Sequence, residues 1–289
     1  MGEVRFIGSG YINWVYAVGD GAILRATKQG MNPEDSYTEA VAVPAVRAAG
    51  VRTPELLFLD DDRDAVDSVV TVYERADGVP LGSLRVDQRE LPGLYREFGR
   101  EVGLLHRRVK EVSDHNGWLD DQYDYDLREE LEKAFAADRL ETLSYDWLTK
   151  WADRLRPAIG STYEKRFIHN DMHAGNTMVL TGPLRLSAII DWGDACWGDP
   201  AQDIVKTPVW AAPWTIEGYR EEGGVVDEMF VGRVMVQNIG IALDALTGKW
   251  EGGDAPWQPM ASSFWTNLVR LMAMDLPDEW RRWLPESPI

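Results

Sequence analysis

Residues 169–176 read His-Asn-Asp-Met-His-Ala-Gly-Asn, and residues 189–194 read Ile-Ile-Asp-Trp-Gly-Asp. Each stretch begins at the end of an apolar segment that is typical of a strand. A strand that ends in a loop, followed by a hairpin that returns to an aspartate, would bring Asp171, Asn176 and Asp191 into one cleft. Carboxylate and amide oxygens suit Mg²⁺, and a further carboxylate can orient an alcohol and take its proton. The pattern therefore predicts a site for phosphoryl transfer to a hydroxyl group.

The spacing of these motifs also resembles that of a known family. His-x-Asp-x-x-x-x-Asn followed by Ile-Ile-Asp-Trp-Gly is similar to the catalytic loop and metal-binding segment of aminoglycoside phosphotransferases and related small-molecule kinases. These proteins share the bilobal protein-kinase-like fold. The resemblance implies that Asp171 is the catalytic base and that Asn176 and Asp191 are ligands of Mg²⁺. It also implies that His169 is a scaffold residue of the loop.

Residues 198–203, Gly-Asp-Pro-Ala-Gln-Asp, are similar to a further segment of the same family, Gly-Asp-Pro-x-x-Asp. The resemblance implies structural roles for Asp199 and Asp203 beneath the catalytic loop, and we expect a structural role for His106 at a helix end. The family resemblance covers about residues 4–206, while the residues beyond match only as a generic helical tail.

The first part of the chain resembles the nucleotide-binding lobe of these kinases. Residues 8–16 are similar to the hairpin that covers the nucleotide, which would place Ser9 and Gly10 against the phosphates. Arg25 occupies the strand in which protein kinases carry a phosphate-binding lysine. An arginine keeps the positive charge and can bind phosphate through two N–H groups. Glu39, on the helix that follows, resembles the acidic partner of that cation.

Residues 70–75 look like the last strand of this lobe and its hinge, where the backbone at Tyr73 and Arg75 would hydrogen-bond the nucleotide base. Lys28 is the alternative phosphate-binding cation. It lies three residues after Arg25, however, and would point to the opposite face of a strand. The resemblance implies Mg²⁺ as cofactor and ATP or GTP as co-substrate, and the sequence leaves the choice of nucleotide open.

Turn residues and apolar periodicity predict a small β-rich lobe followed by a larger, mostly helical lobe. Residues 74–82 lose periodicity and gain Gly and Pro, which suits a hinge. We therefore predict an α+β, bilobal protein-kinase-like fold, with a nucleotide-binding lobe over residues 1–75 and a catalytic and acceptor-binding lobe over residues 76–289. The predicted first-lobe strands cover residues 4–8, 14–18, 22–27, 54–59 and 68–73, with a helix over 33–49, and further strands cover 166–169, 177–180 and 184–190.

The chain of 289 residues is 45% apolar and carries a formal net charge of −18. Such a charge opposes binding to nucleic acid or to an anionic membrane, because both would be repelled. Acidic residues outnumber basic ones twelve to three over residues 111–146 and twelve to six over residues 207–289. This excess favours a cationic acceptor, although a solvated acidic helix face gives the same pattern. With a single cysteine, Cys196, and no membrane-spanning or leader-like segment, we expect a soluble, cytoplasmic protein of open oligomeric state.

The resemblance and the charge make an aminoglycoside-type antibiotic the first candidate acceptor, which would confer resistance. Kinases for choline, homoserine, methylthioribose or fructosamines are the alternative. A metallohydrolase is a rival of another class, because His169, Asp171 and His173 could face one side of a strand and hold a transition metal. A pseudokinase that serves as a binding module is a third possibility. Some tryptophans could line the acceptor pocket rather than the core, namely Trp250, Trp257, Trp265 and Trp280.

Overall fold

The computed structural model describes residues 3–64, 66–87, 89–122, 126–246 and 261–286. Its first lobe contains β1 (Val4–Ser9), β2 (Asn13–Val18), β3 (Ala22–Thr27), α1 (Glu34–Ala48), β4 (Leu56–Asp60) and β5 (Val70–Glu74). The strands form one antiparallel sheet in the order β1-β2-β3-β5-β4. The tight turn between β2 and β3 uses Gly19 at a φ of 56°, which glycine adopts without steric cost. The five strands and the helix predicted for this lobe are confirmed.

The second lobe is mainly helical. A three-stranded sheet, β6-β8-β9, and a two-stranded sheet, β10-β7, lie among its helices. The predicted α+β bilobal fold is confirmed, but β6 and β10 were missed, because two and three residues are too few to show a periodicity. The elements are β6 (Val79–Pro80), α2 (Leu91–Arg108), α3 (Leu127–Ala136), α4 (Thr142–Ile159), β7 (Arg166–Ile168), β8 (Thr177–Thr181), β9 (Leu184–Ile189), β10 (Cys196–Gly198), α5 (Gln202–Val205), α6 (Ala212–Glu221), α7 (Phe230–Leu246), α8 (Ala261–Met272) and α9 (Asp278–Arg281).

Helix α2 runs through the core of the second lobe. Leu94, Phe98 and Val102 recur at four-residue spacing, so they share one helix face, and each is at most 2% exposed. The helix also packs closely against α6. A Cβ atom added at Gly99 would lie 1.9 Å from the carbonyl oxygen of Thr215, so this approach requires glycine.

The segment that joins the lobes is part of the second lobe's sheet. Val79 of β6 pairs with Val179 of β8. Gly78, just before β6, has a φ of 89°, and a Cβ atom there would lie 2.2 Å from the carbonyl oxygen of Val179. The predicted hinge is therefore held by strand pairing from residue 79 onwards. The lobe boundary at residue 75 stays a prediction.

Arg52, between α1 and β4, ties the first lobe to the second. Its guanidinium donates hydrogen bonds to Glu97 at 2.8 Å and to Glu101 at 2.9 Å, both on α2. It also donates to the carbonyl oxygen of Leu186 in β9 at 2.7 Å. Because Glu97 and Glu101 lie one helical turn apart, a single arginine reaches both. This cluster joins the end of α1 to the lobe that carries the catalytic motifs.

Tryptophans contribute mainly to the core. Trp280 is 1% exposed and Trp151 is fully buried, while Trp265 is half-buried and packs against the core. Trp250 and Trp257 lie outside the described residues. In the described ranges, no helix combines the length and the apolar character that a membrane span needs. The cytoplasmic location stays a prediction.

Candidate active site

Asp203 holds the backbone of the loop that follows β7. Its fully buried carboxylate accepts hydrogen bonds from the N–H groups of His169, at 3.0 Å, and Asn170, at 2.8 Å. It also lies 2.9 Å from Nε2 of His106, whose Nδ1 is 3.0 Å from the hydroxyl of Tyr219. Asn170 has a φ of 66°, in the left-handed region that most residues avoid. Asp203 therefore binds the backbone at the start of the loop while His106 contacts its carboxylate, which agrees with the structural roles expected for both residues.

Asp199 anchors the segment between β10 and α5. It pairs with Arg233 of α7 at 2.8 Å, and the two side chains are 3% and 5% exposed. It also accepts a hydrogen bond from the N–H of Ala201 at 3.0 Å. The structural role expected for Asp199 is confirmed.

His169 connects the catalytic loop to the strand that precedes Asp191. Its Nε2 lies 3.0 Å from the carbonyl oxygen of Ile190, and its Nδ1 accepts a hydrogen bond from the N–H of Asp171 at 3.2 Å. The ring is fully buried against Trp192. Both nitrogens are therefore used within the protein, which disfavours the metallohydrolase interpretation. Among the described residues, no group of three or more His, Cys, Asp or Glu side chains is arranged to hold a metal ion.

Asp171 lies in direct contact with Asn176 and with a lysine. Asn176 donates a hydrogen bond from Nδ2 to Oδ2 of Asp171 at 2.9 Å, and Nε2 of His173 lies 3.4 Å from the same oxygen. Nζ of Lys206 donates to Oδ1 at 2.5 Å. Burial acts to raise the pKa of Asp171, but Lys206 and His173 outweigh it and hold the pKa well below its ordinary value. Asp171 is therefore ionised at neutral pH.

Arg25 is the centre of a charged network that reaches Asp191. Its Nη1 donates to Glu39 at 2.8 Å, and its Nη2 lies 2.9 Å from Asp191. Glu39, 1% exposed, also accepts hydrogen bonds from the hydroxyl of Tyr73 and from the N–H of Trp192 at 3.0 Å. The predicted pairing of Arg25 with Glu39 is thus present in the structure. The network places the candidate phosphate-binding arginine directly beside the candidate metal ligand Asp191.

The hairpin between β1 and β2 contains Ser9 and Gly10, which were predicted to lie against the phosphates. Ser9 is exposed and donates from its hydroxyl to the carbonyl oxygen of Gly10 at 3.1 Å. Lys28 donates to the same carbonyl at 2.5 Å, and its Nζ lies 4.8 Å from the ring centroid of Trp14. Lys28 therefore braces the hairpin, which leaves Arg25 as the better candidate for the phosphate-binding cation. The phosphate contacts of Ser9 and Gly10 stay predictions.

Tyr73 and Arg75 were predicted to offer backbone groups to the nucleotide base. The structure shows other partners for both residues, because the side chain of Tyr73 bonds Glu39 and the N–H of Arg75 donates to the carbonyl of Gly21 at 2.9 Å. Neither contact tests the binding of a base at the hinge. That role stays a prediction.

Two carboxylates that the sequence analysis did not single out extend the site. Burial, followed by repulsion from Asp171 and Asp191, raises the pKa of Asp194. Asp35, in the first turn of α1, lies against Gly193, where an added Cβ would be 2.6 Å from its own Cβ. Burial and repulsion from Asp194 and Asp191 raise the pKa of Asp35 to about 7. The carboxylate of Asp35 in the first lobe is therefore close enough to Asp191 and Asp194 in the second lobe to be repelled by them across the cleft.

The cleft has an excess of negative charge that suits a divalent cation. Mg²⁺ is usually held by one or two protein oxygens together with phosphates and waters. Asn176 and Asp191 are the predicted pair, and the N–H of Ile190, next to Asp191, donates to the carbonyl oxygen of Asn176 at 3.0 Å. Nδ2 of Asn176 is used by Asp171, so Oδ1 would be its metal-binding atom, and the metal role of both residues stays a prediction. Among the described residues, Arg25 and Lys206 form ion pairs with these carboxylates. The carboxylates are those of Asp35, Glu39, Asp171, Asp191 and Asp194.

Comparison with known proteins decides the family. The model of the phosphotransferase enzyme family APH matches residues 3–227. The chain belongs to this phosphotransferase family.

Solved structures share the fold of this phosphotransferase at low sequence identity. A choline/ethanolamine kinase family protein from Mesorhizobium loti is 20% identical with a TM-score of 0.61, over 98% of this chain and 91% of that one. The GDP complex of wild-type aminoglycoside 2'-phosphotransferase-IIIa is 17% identical with a TM-score of 0.61, over 94% and 91%. ADP-bound aminoglycoside phosphotransferase APH(2'')-Ib is 13% identical with a TM-score of 0.60, over 93% of each chain.

Proposed function

We propose that this phosphotransferase moves the γ-phosphate of a Mg²⁺-bound nucleotide, ATP or GTP, to a hydroxyl group of a small cationic molecule. The observation that carries the proposal is the contact of Asp171 with Asn176 at 2.9 Å, together with the contact of Arg25 with Asp191 at 2.9 Å. Phosphoryl transfer depends on positioning and on electrostatic stabilisation, and this arrangement supplies groups for both.

Asp171 would bind and orient the acceptor hydroxyl. Its pKa is held low by Lys206 and His173 against the effect of burial, so it is a weak base. A weak base fits a loose transition state, in which the hydroxyl loses its proton only late in the transfer. Asp171 would then accept that proton as the new oxygen–phosphorus bond forms.

Asn176 and Asp191 would hold Mg²⁺, which when bound would neutralise charge on the phosphates. Arg25 would bind the α- and β-phosphates through its planar guanidinium. Glu39 orients that guanidinium from a buried position at 2.8 Å. Ser9 and Gly10 would cover the phosphates, and Tyr73 and Arg75 would lie at the hinge beside the nucleotide base.

An aminoglycoside is the proposed acceptor class. The net charge of −18 and the acidic tracts of the second lobe would attract ammonium groups and raise the association rate. Two proteins of the same fold were solved with such ligands, one as a streptomycin-ATP ternary complex and one with gentamicin. Choline or ethanolamine is the second candidate, because the choline/ethanolamine kinase family protein covers 98% of this chain.

A coupled assay of nucleoside diphosphate release tests the proposal. ATP and GTP would each be offered with Mg²⁺ against a panel of aminoglycosides, other antibiotics, choline, ethanolamine, homoserine, methylthioribose and fructosamines. We expect turnover with at least one aminoglycoside and a phosphate monoester resonance in the phosphorus NMR spectrum of the product. Turnover with choline and no antibiotic would overturn the aminoglycoside assignment but not the kinase one. A protein that binds no nucleotide but holds tightly bound zinc or manganese would overturn the kinase assignment.

A further inference from the structure

Lys206 is a cation at the reacting end of the cleft, and the family motifs do not assign it a role. It follows directly after α5, whose Asp203 is anchored to the catalytic loop by two backbone hydrogen bonds. Its Nζ lies 2.5 Å from Oδ1 of Asp171, and both side chains are only 20% exposed. Lys206 therefore contacts Asp171 from a segment that is hydrogen-bonded to the catalytic loop, and it is largely shielded from water.

The two oxygens of Asp171 have different surroundings. Oδ2 accepts a hydrogen bond from Asn176 and lies near His173, whereas Oδ1 is in contact with Lys206. An acceptor hydroxyl bound by Asp171 would therefore approach Oδ1, next to the ammonium group of Lys206. In a reactive complex the hydroxyl oxygen and the γ-phosphorus lie about 3–3.5 Å apart. A γ-phosphate oxygen would then be within reach of the same ammonium.

The other nearby cations are placed differently. Arg25 is engaged by Glu39 and Asp191, and Lys28 contacts the carbonyl oxygen of Gly10 in the hairpin. An ammonium group carries three donors on a flexible stem, so Lys206 can keep its contact with Asp171 and bind a phosphate oxygen at the same time.

We propose, on the basis of the function proposed above, that Lys206 is the ligand of the γ-phosphate, which it binds while it remains in contact with Asp171. During transfer the acceptor oxygen forms a bond to the γ-phosphorus, and the bond from that phosphorus to the β–γ bridging oxygen breaks. The departing nucleoside diphosphate keeps the electron pair, Asp171 takes the hydroxyl proton, and Lys206 keeps its own proton. Lys206 thereby stabilises charge on the phosphoryl group as it moves.

The affinity of the protein for a nucleoside triphosphate, relative to the diphosphate, tests this role of Lys206 because the two nucleotides differ in the γ-phosphate. The measurement needs no acceptor. Removal of Lys206 alone would leave the buried carboxylate of Asp171 without the ammonium group that offsets its charge, so the test uses Asp171→Asn and the double variant Asp171→Asn/Lys206→Gln. Dissociation constants for Mg²⁺-ATP and Mg²⁺-ADP, or for the guanine nucleotides if the unmodified protein prefers them, are measured by calorimetry. Lys133→Gln, in an exposed lysine of α3, is the control for the change in net charge.

We expect Asp171→Asn and Lys133→Gln to keep the preference for triphosphate. The double variant should bind triphosphate ~10- to 100-fold more weakly, the value of a hydrogen bond between charged groups, with diphosphate binding nearly unchanged. Lys206→Arg, which keeps the charge, should retain most of the preference. A double variant that retains the full preference, or that loses both affinities equally, overturns the role of Lys206. Failure of the unmodified protein to bind any Mg²⁺-nucleotide would instead overturn the proposed function on which this role rests.

Discussion

Replacing Arg25 with methionine tests the buried network between the two lobes. Arg25 is 16% exposed in its side chain, and it donates to both oxygens of Glu39, at 2.8 and 3.0 Å, and contacts Asp191 at 2.9 Å. Methionine keeps much of the volume but leaves the carboxylate of Glu39, 1% exposed, with only the hydroxyl of Tyr73 and the N–H of Trp192 as donors. Removing one partner of a buried ion pair costs about 3–5 kcal/mol of folding free energy.

That cost is a large part of the stability of an ordinary domain, about 5–15 kcal/mol. Urea denaturation followed by tryptophan fluorescence should therefore show a much lower midpoint for Arg25→Met. The control is Arg89→Met, because Arg89 is 89% exposed and its pair with Asp87 lies at the surface, where solvent screens ion pairs and they contribute little to stability. In Arg25→Met/Glu39→Gln the buried charge is also removed, so the double variant should be more stable than Arg25→Met alone.

Together with the single variant Glu39→Gln, these proteins form a double-mutant cycle, and its coupling energy should exceed about 1 kcal/mol, as for residues in one hydrogen-bonded network. The network would be refuted if the changes in free energy of unfolding at Arg25 and Glu39 were additive. It would also be refuted if Arg25→Met lost no more stability than Arg89→Met. Either result would mean that the contact of Arg25 with Glu39 does not stabilise the network that reaches Asp191 and Trp192 of the second lobe.

Three further changes test the scaffold around the site. Gly99→Ala should lower the free energy of unfolding by about 1–3 kcal/mol, because the added methyl group overpacks against α6. Gly93→Ala in the same helix should be neutral or slightly stabilising, because an added Cβ there meets nothing within 4 Å. Equal effects of the two changes in denaturation experiments would contradict this packing. Asp203→Asn should lower the free energy of unfolding by about 1–3 kcal/mol and reduce turnover, because an amide cannot accept all three hydrogen bonds of the carboxylate. An unchanged urea midpoint and an unchanged kcat would argue against Asp203 as the anchor of the loop. Glu97→Gln should cost ~1–2 kcal/mol at pH 7. Burial raises the pKa of Glu97, but Arg52 and its other donors outweigh this and lower it, so the stabilisation is present above the unfolded-state pKa of about 4.3 and is lost as the pH falls through the folded-state value. The difference between wild type and Glu97→Gln should therefore shrink below about pH 4 in denaturation experiments, and a constant difference would contradict the pairing.

Local sequence signals predicted the elements that position the site. Short turns with glycine indicate hairpins, and four-residue apolar spacing indicates the buried face of α2, because both depend on neighbouring residues only. Asp171 and Asn176 lie five residues apart, so one loop brings them into contact. The alternation of side chains along a strand likewise separated Arg25 from Lys28, and the structure places them in different contacts.

Contacts that depend on tertiary packing could not be predicted from the sequence. Lys206 meets Asp171 across 35 positions of the chain, and Asp35 reaches the cleft from the other lobe. Neither residue stands in a motif or in a periodic pattern. Asp194 directly follows the Asp191-Trp-Gly motif, and that adjacency was a signal that could have identified it. The short strand β6 was hidden because its pairing with β8 involves only two residues.

The most direct test of the central claim compares Asp171→Asn with the unmodified protein, using the acceptor and nucleotide identified by the turnover screen. Asparagine keeps the shape of the side chain but cannot take the acceptor proton. We predict that kcat falls by about 10²- to 10⁴-fold while the dissociation constant for Mg²⁺-nucleotide changes little. Asp278→Asn, in an exposed aspartate of α9, should leave both values unchanged. A near-normal kcat for Asp171→Asn would contradict the role of Asp171 as the group that orients and deprotonates the acceptor.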